Sequence, residues 1–246
     1  MINDNLVLIC GESVGGKSAS LRNIKDQNGA IYCNLESGKK LPFPSQFRQI
    51  TIIDPLTLYG IFDEAEKSPK IHTIIVDSQT YMMDMYESVH VLTAVDTQKA
   101  WAGYQQFFKK LMQFYVAKST KNVIFTAHTL ATFNEAESLM EKKVPVKGAL
   151  KNIGIESFFS VVVAAKKVPL KMLEGYENPM LTITPDEEAI GVKHVFQTRL
   201  TKETVNERIR APMGMWAIPE TYIDNDVQVL MEKLHGYYGT SMAQAA

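Results

Sequence analysis

The sequence contains little cysteine and no long apolar segment. Its two cysteines, Cys10 and Cys33, lie in short apolar runs that are typical of buried strands. Two cysteines in 246 residues exclude a disulfide scaffold and favour a reducing compartment, so we expect a cytoplasmic protein. No apolar run approaches the roughly 20 residues that a bilayer-spanning helix needs, and residues 1–5 are polar and acidic. We therefore expect neither a membrane span nor a signal peptide.

The sequence also lacks a net charge of one sign. Lysine and arginine together number 26 and aspartate and glutamate 27, so the formal charge is -1. This balance excludes proteins that coat nucleic acid through bulk positive charge, but it permits a local basic segment. The composition is that of a globular chain, which excludes a disordered protein and a collagen-like fibre. No repeat or linker is visible, so we expect one domain over 1–236 and a flexible tail over 237–246.

Short apolar runs alternate with helical patterns through the first half of the sequence. Uninterrupted runs of this length are typical of strands that are buried on both faces of a parallel sheet. The predicted strands are 6–10, 30–35, 49–53, 73–77 and 122–127. The predicted helices are 17–24, 54–68 and 96–120, and the last has an apolar stripe that indicates core packing. The alternation predicts an α/β fold in which helices flank a mostly parallel central sheet.

The second half of the sequence has a different pattern. Segment 129–152 is polar and is expected to be a loop without a firm strand. A strand is predicted at 158–165, and 180–184 with 192–200 are predicted to form a hairpin around an acidic turn. These strands would give the sheet an antiparallel C-terminal extension, followed by a helix at 225–234.

Residues 11–18 match the phosphate-loop pattern G-x-x-x-x-G-K-[ST] between a predicted strand and a predicted helix. The glycines let successive backbone N–H groups point at phosphate oxygens, and the helix adds its positive end. Lys17 is expected to bridge the β- and γ-phosphates, and the Ser18 hydroxyl to bind Mg²⁺. The alternative, a glycine-rich turn before an ordinary helix, leaves the Gly-Lys-Ser register unexplained. The expected nucleotide contacts are Gly11, Glu12, Ser13, Val14, Gly15, Gly16, Lys17, Ser18 and Ala19.

Three polar residues follow or end predicted strands. Asp77 ends the fourth strand and is expected to organise Mg²⁺. The alternative is that Asp77 only caps the end of the strand. Glu36 follows the second strand, where a carboxylate can orient an attacking water; otherwise it is a solvated loop acid. His128 follows the fifth strand, where its side chain can contact the γ-phosphate or fill a structural role.

Five short motifs occur in the order found in RecA-like ATPase cores. They are GESVGGKSASL at 11–21, Glu36, VDS at 76–78, TAH at 126–128 and VNERIRAP at 205–212. From Leu6 to about Ala217 the chain resembles the short RecA-like P-loop ATPases encoded by phages, which include single-strand annealing proteins. The resemblance implies a RecA-like P-loop NTPase core, ATP and Mg²⁺ as cofactors and, for a phage protein, the host cytoplasm as its location.

The resemblance also implies roles for individual residues. Lys17 and Ser18 would contact the phosphates and Mg²⁺, and Asp77 would be the acid at the end of the fourth strand that supports the metal. Glu36 would activate water, and His128 would be the polar switch residue that couples nucleotide state to DNA binding. In a homo-oligomer, Arg208 of the last motif would reach the nucleotide of a neighbouring subunit. Arg210 is the second choice for this role. The alternative for both arginines is surface charge at a strand end.

In RecA-like proteins a mobile DNA-binding loop follows the switch strand, which corresponds here to 129–152. Between 139 and 151 only Glu141 opposes four lysines, and such a loop binds the backbone of single-stranded DNA without reading its sequence. The usual alternative is a solvated face. The lysines are Lys142, Lys143, Lys147 and Lys151. Only five residues precede the first strand, which argues against the long filaments and full strand exchange of recombinases with an N-terminal arm.

Three functions compete on these grounds. The first is an ATPase of DNA recombination or single-strand annealing that binds single-stranded DNA, with a single-strand binding protein as a further partner. The second is a P-loop ATPase that regulates or assembles a protein partner without contacting DNA, using acidic clusters at 63–66 and 186–188 as docking faces. The third, a metabolite kinase, is disfavoured because no arginine lies between 49 and 198 to form a lid.

Overall fold

The computed structural model describes residues 3–135 and 138–239, which contain ten strands and six α-helices. The strands are β1 (Leu6–Gly11), β2 (Ala30–Asn34), β3 (Arg48–Thr51), β4 (Thr73–Asp77), β5 (Asn122–His128), β6 (Leu130–Asn134), β7 (Leu139–Lys143), β8 (Val161–Pro169), β9 (Val192–Gln197) and β10 (Tyr222–Asp224). The helices are α1 (Thr57–Lys67), α2 (Gln79–Tyr86), α3 (Thr97–Lys110), α4 (Leu150–Ile153), α5 (Pro185–Ile190) and α6 (Val227–Tyr238).

Eight of these strands form one sheet in the order β10-β9-β8-β1-β5-β4-β2-β3. The neighbours from β8 to β3 are parallel, whereas β9 and β10 add antiparallel to the β8 edge. The predicted α/β fold, its mostly parallel sheet and its antiparallel C-terminal strands are therefore confirmed. In the part of the chain that the structure describes, no helix is long and apolar enough to cross a membrane.

The central strand β1 is apolar throughout because both of its faces are covered. Leu8 and Cys10 point into the core that contains α1 and α3, whereas Val7 and Ile9 point into the core beneath α6. Cys10 and the buried Cys33 are free thiols. This two-sided burial explains why the strand has no polar alternation.

The long predicted helix at 96–120 begins as expected. The side chain of Asp96 caps α3 by accepting a hydrogen bond from the backbone N–H of Lys99. The α-helix ends at Lys110 and continues as a π-helical segment, Leu111–Tyr115, and a 3₁₀ turn, Val116–Lys118. Its aromatic stripe lies in the α1–α3 core, so the prediction of core packing is confirmed.

The predicted helix at 17–24 is wrong in extent, since only the 3₁₀ segment Ala19–Asn23 forms there. The chain is instead tied to the start of α6. Arg22 donates to the carbonyl of Asn225 at 2.9 Å, and the side-chain amide of Asn23 donates to the carboxylate of Asp226 at 2.6 Å. These bonds hold residues 22 and 23 against the N-terminus of α6.

Segment 129–152 was expected to contain no strand, but β6 and β7 form an antiparallel hairpin there, in a small sheet of their own. The hairpin is anchored from outside, because the N–H of Lys142 donates to the carbonyl of Asn206 at 3.1 Å. The four-residue helix α4 follows it. The two strands were not predicted because they are short, mix apolar with polar residues and contain no fully buried residue.

The predicted hairpin of 180–184 with 192–200 is also wrong. No strand forms at 180–184, and β9 pairs with β8 instead. The acidic stretch between them is α5, which begins with a capping box: the Thr184 hydroxyl accepts from the N–H of Glu187, whose carboxylate accepts from the N–H of Thr184. Residues 237–238 of the predicted tail belong to α6, and 240–246 lie outside the described residues.

Candidate phosphate-binding site

The loop after β1 is pressed against the neighbouring strand β8. A Cβ atom added to Gly11 or to Gly15 would lie 2.5 or 2.6 Å from the carbonyl oxygen of Ala165, which is closer than real Cβ atoms approach. Val14, at the tip of the loop, has a positive φ of 66° and is exposed, and Gly16 has a φ of 93°. The close approach explains why glycine is needed at positions 11 and 15, and the positive φ explains it at position 16.

Lys17 lies inside this loop and is only 6% exposed. Its Nζ atom donates to the carbonyls of Gly11 at 3.0 Å and of Glu12 at 2.9 Å, and it lies 3.4 Å from Nδ1 of His128. Burial lowers the pKa of Lys17, while the nearby carboxylates of Asp77 and Glu36 oppose that effect. The loop therefore holds a buried ammonium group among backbone oxygens, where an anionic ligand would compensate its charge.

Asp77, at the carboxyl end of β4, is 1% exposed and accepts hydrogen bonds from three hydroxyl groups. Ser18 donates to Oδ2 at 2.9 Å, Tyr32 donates to the same oxygen at 2.7 Å, and Thr126 donates to Oδ1. Burial and the adjacent carboxylate raise the pKa of Tyr32. The sequence analysis did not identify Tyr32 and Thr126 as site residues. The signal that marks them is a hydroxyl group within a mostly apolar strand.

Glu36 and His128 lie side by side near the loop lysine. Nε2 of His128 is 3.5 Å from Oε1 of Glu36, and Nζ of Lys39 is 3.0 Å from Oε2. The hydrogen bond from His128, followed by that from Lys39, lowers the pKa of Glu36 to about 2. Glu36 is therefore an ionised carboxylate at neutral pH, and His128 connects it to Lys17.

The two arginines of the late motif lie away from this cluster. Arg208 is half exposed, and its Nη2 lies 3.6 Å from Oε2 of Glu141. Arg210 is exposed, and its backbone forms two hydrogen bonds with Val162 of β8. Arg208 nevertheless lines a cavity of about 290 Å³ together with residues 11–15 of the loop in its own chain, whereas Arg210 does not line it.

The four lysines of the predicted DNA loop do not form one free basic surface. Lys142 pairs with Glu12 at 2.9 Å, Lys143 with Glu141 at 2.9 Å, and Lys147 with Glu87. Lys151 is exposed. Lys143 and Lys151 share a cleft of about 200 Å³ with Arg208, between the hairpin and the segment that follows it. Lys142 and Arg208 line a second cavity, of about 290 Å³, together with residues 11–15 of the loop after β1.

The donor set fits Mg²⁺ bound together with a phosphate ligand. Among the residues that the structure describes, no group of three or more His, Cys, Asp or Glu side chains could hold a metal alone. Mg²⁺ commonly binds proteins through one or two oxygen ligands and completes its shell with water and substrate phosphates. The Ser18 hydroxyl and the Asp77 carboxylate, in contact with each other, offer such a pair.

Comparisons with known proteins add no further assignment. The sequence matches no protein-family model and no curated protein. The geometry of the loop and of the strand ends is therefore the ground on which a function is proposed.

Proposed function

We propose that this protein is a Mg²⁺-dependent P-loop ATPase with a RecA-like core. The observation that carries the proposal is the meeting of Lys17, Ser18 and Asp77 at the carboxyl ends of β1 and β4, which are separated in the sheet by β5. They lie behind a loop in which Gly11 and Gly15 leave no room for a Cβ atom. This combination of an ammonium, a hydroxyl and a carboxylate serves phosphates and Mg²⁺ in P-loop proteins.

Each residue then has a separate task. The loop N–H groups and Lys17 would hold the β- and γ-phosphates, and Ser18 and Asp77 would hold Mg²⁺, which would supply positive charge to the phosphates. Tyr32 and Thr126 fix the orientation of the Asp77 carboxylate.

Glu36, ionised at neutral pH, accepts a hydrogen bond from the attacking water and so orients it. His128, between Lys17 and Glu36, responds to the presence of the γ-phosphate. It directly precedes the β6–β7 hairpin, with only Thr129 between them, so a change at His128 is passed to that hairpin.

We further propose that the ATPase acts in DNA recombination or single-strand annealing and binds single-stranded DNA in a nucleotide-dependent way. The support is the position of the hairpin after His128 and the cleft beside it, where Lys143, Lys151 and Arg208 offer positive charge to a phosphate backbone. In a homo-oligomer, Arg208 or Arg210 reaches the nucleotide of the next subunit. The protein acts in the cytoplasm, and in the host cytoplasm if a phage encodes it.

The deciding experiment is the ATPase rate with and without single-stranded DNA across a salt series. We expect DNA to stimulate hydrolysis, and the stimulation to fall steeply as salt rises, because backbone binding releases counterions. ATP hydrolysis without any response to DNA would reject the DNA role and keep the ATPase. Absence of hydrolysis under all conditions, together with absence of ATP binding, would reject both.

One observation favours the alternative, an ATPase that regulates or assembles a protein partner. Three of the four loop lysines already pair with carboxylates, which reduces the charge available to DNA. DNA-independent hydrolysis that changes on addition of a partner protein would support this function.

A further inference from the structure

An ion pair joins the phosphate loop to the β6–β7 hairpin. Nζ of Lys142, on β7, lies 2.9 Å from Oε1 of Glu12, the second residue of the loop. The hydrogen bond and the charge of Lys142 lower the pKa of the Glu12 carboxyl group. The backbone carbonyl of Glu12 accepts from Lys17, so one residue of the loop is contacted by two lysines, one on each side.

The hairpin holds Lys142 at this position. Its N–H donates to the carbonyl of Asn206, and it pairs across the hairpin with Ala131. Its neighbour Lys143 belongs to the opposite face of the hairpin and pairs with Glu141. Adjacent strand residues point to opposite faces, so only Lys142 of this pair is directed at the loop.

Glu12 places a negative charge in a loop whose proposed ligand is a polyanion. Like charges a few ångströms apart at a protein surface repel each other, and salt screens the repulsion only partly. The Glu12 carboxylate is 65% exposed at the mouth of the loop, so an approaching triphosphate meets it directly. Some compensating positive charge is required if the loop is to bind such a ligand well.

We propose that Lys142 is an affinity-determining residue of the nucleotide site, which neutralises Glu12 so that the loop admits a nucleoside triphosphate. The inference rests on the proposed ATPase function and deepens it, and it reassigns Lys142 from DNA contact to nucleotide binding. Lys142 acts through Glu12, so it is a positioning residue, and its effect is independent of DNA.

The test is a double-mutant cycle on ATP affinity, measured by calorimetry with Mg²⁺ and without DNA. Lys142→Met should weaken ATP binding about two- to fivefold, as expected for one exposed charge that loses its partner. The loss should be larger for ATP than for ADP and should shrink at high salt. Glu12→Gln should bind ATP at least as well as the wild type, and Glu12→Gln with Lys142→Met should bind within about twofold of Glu12→Gln alone.

A matched control is Lys67→Met, which breaks a similarly short, exposed pair with Glu64 on α1 and should leave ATP affinity unchanged. If the double variant binds ATP as weakly as Lys142→Met, or if Lys142→Met binds like the wild type, the inference is wrong while the ATPase proposal stands. If the wild type binds no ATP, both are wrong. Thermal unfolding of each variant separates a loss of affinity from a loss of fold.

Discussion

The hydroxyl of Ser18 donates a 2.9 Å hydrogen bond to the carboxylate of Asp77, across 59 residues of sequence. One residue follows a strand in the middle of the sheet, and the other ends a strand two positions away. The same two oxygen atoms are the proposed Mg²⁺ ligands, so the ion would replace a contact that the fold already makes. Preformed geometry of this kind lowers the cost of binding the ion.

Replacement of Ser18 should therefore change the metal requirement more than the fold. In Ser18→Ala, Tyr32 and Thr126 still hold Asp77, so the free energy of unfolding should fall by only about 1 kcal/mol. The Mg²⁺ concentration for half-maximal ATPase should rise about tenfold or more. Ser78→Ala is the control, because the Ser78 hydroxyl is buried without a partner among the described residues. A Mg²⁺ requirement that rises equally in both variants would contradict the metal role.

Replacement of the loop lysine should abolish turnover. Lys17→Met removes the ammonium group next to the phosphates and should lower kcat at least about 100-fold. Lys17 is buried and donates to two carbonyls, so we also expect destabilisation of about 1–2 kcal/mol. Lys25→Met, which loses only an exposed pair with Glu232, should change neither value. Normal ATP hydrolysis by Lys17→Met would contradict the central proposal.

The low pKa of Glu36 predicts how its contribution to stability depends on pH. Its pKa is about 2 in the folded protein and near 4.5 otherwise, so ionisation stabilises the fold above pH 4.5. That contribution is lost as the pH falls from 4.5 towards 2. Glu36→Gln should thus destabilise the protein by about 1–2 kcal/mol at pH 5 and by less at pH 3, as measured by urea unfolding.

The exposed Glu64 provides the control for that measurement. Glu64→Gln should have little effect at either pH, because its pair with Lys67 is solvated. A cost of Glu36→Gln that stays constant from pH 5 to pH 3 would show that the charge of Glu36 contributes nothing to the fold.

Alanine substitutions at Gly15 and Gly60 should change stability in opposite directions, because of these two glycines only Gly15 lies against β8. Gly15→Ala forces a Cβ against the carbonyl of Ala165 and should cost about 1–3 kcal/mol and most of the ATP affinity. Gly60→Ala, in the exposed middle of α1 with no atom within 4 Å of the new Cβ, should instead stabilise by up to about 1 kcal/mol. Thermal unfolding and ATP binding measure both, and a stable Gly15→Ala variant with full affinity would contradict the described loop.

Local signals in the sequence were enough for the parallel strands of the sheet, and they predict the phosphate loop. Apolar runs such as 6–10 predict buried parallel strands because a strand covered on both faces can have no polar alternation. The glycine and lysine pattern at 11–18 depends on backbone conformation and on one charge, both of which are local. The helix cap at Asp96 is also local, because its side chain accepts a hydrogen bond from the N–H of Lys99, three residues later.

Tertiary structure alone decided the features that join distant segments. The β6–β7 hairpin forms although its strands contain no fully buried residue, since Asn206 and Glu12 hold it from outside. Ion pairs of this kind also determine which lysines are free to bind DNA. The number of lysines in the segment does not predict this. The hydroxyl groups around Asp77 come from three different segments, and their spacing in the sequence does not predict that they meet. Sequence determines what each segment can do locally, whereas charge pairing and hydrogen bonding between segments depend on distances that exist only in the folded chain.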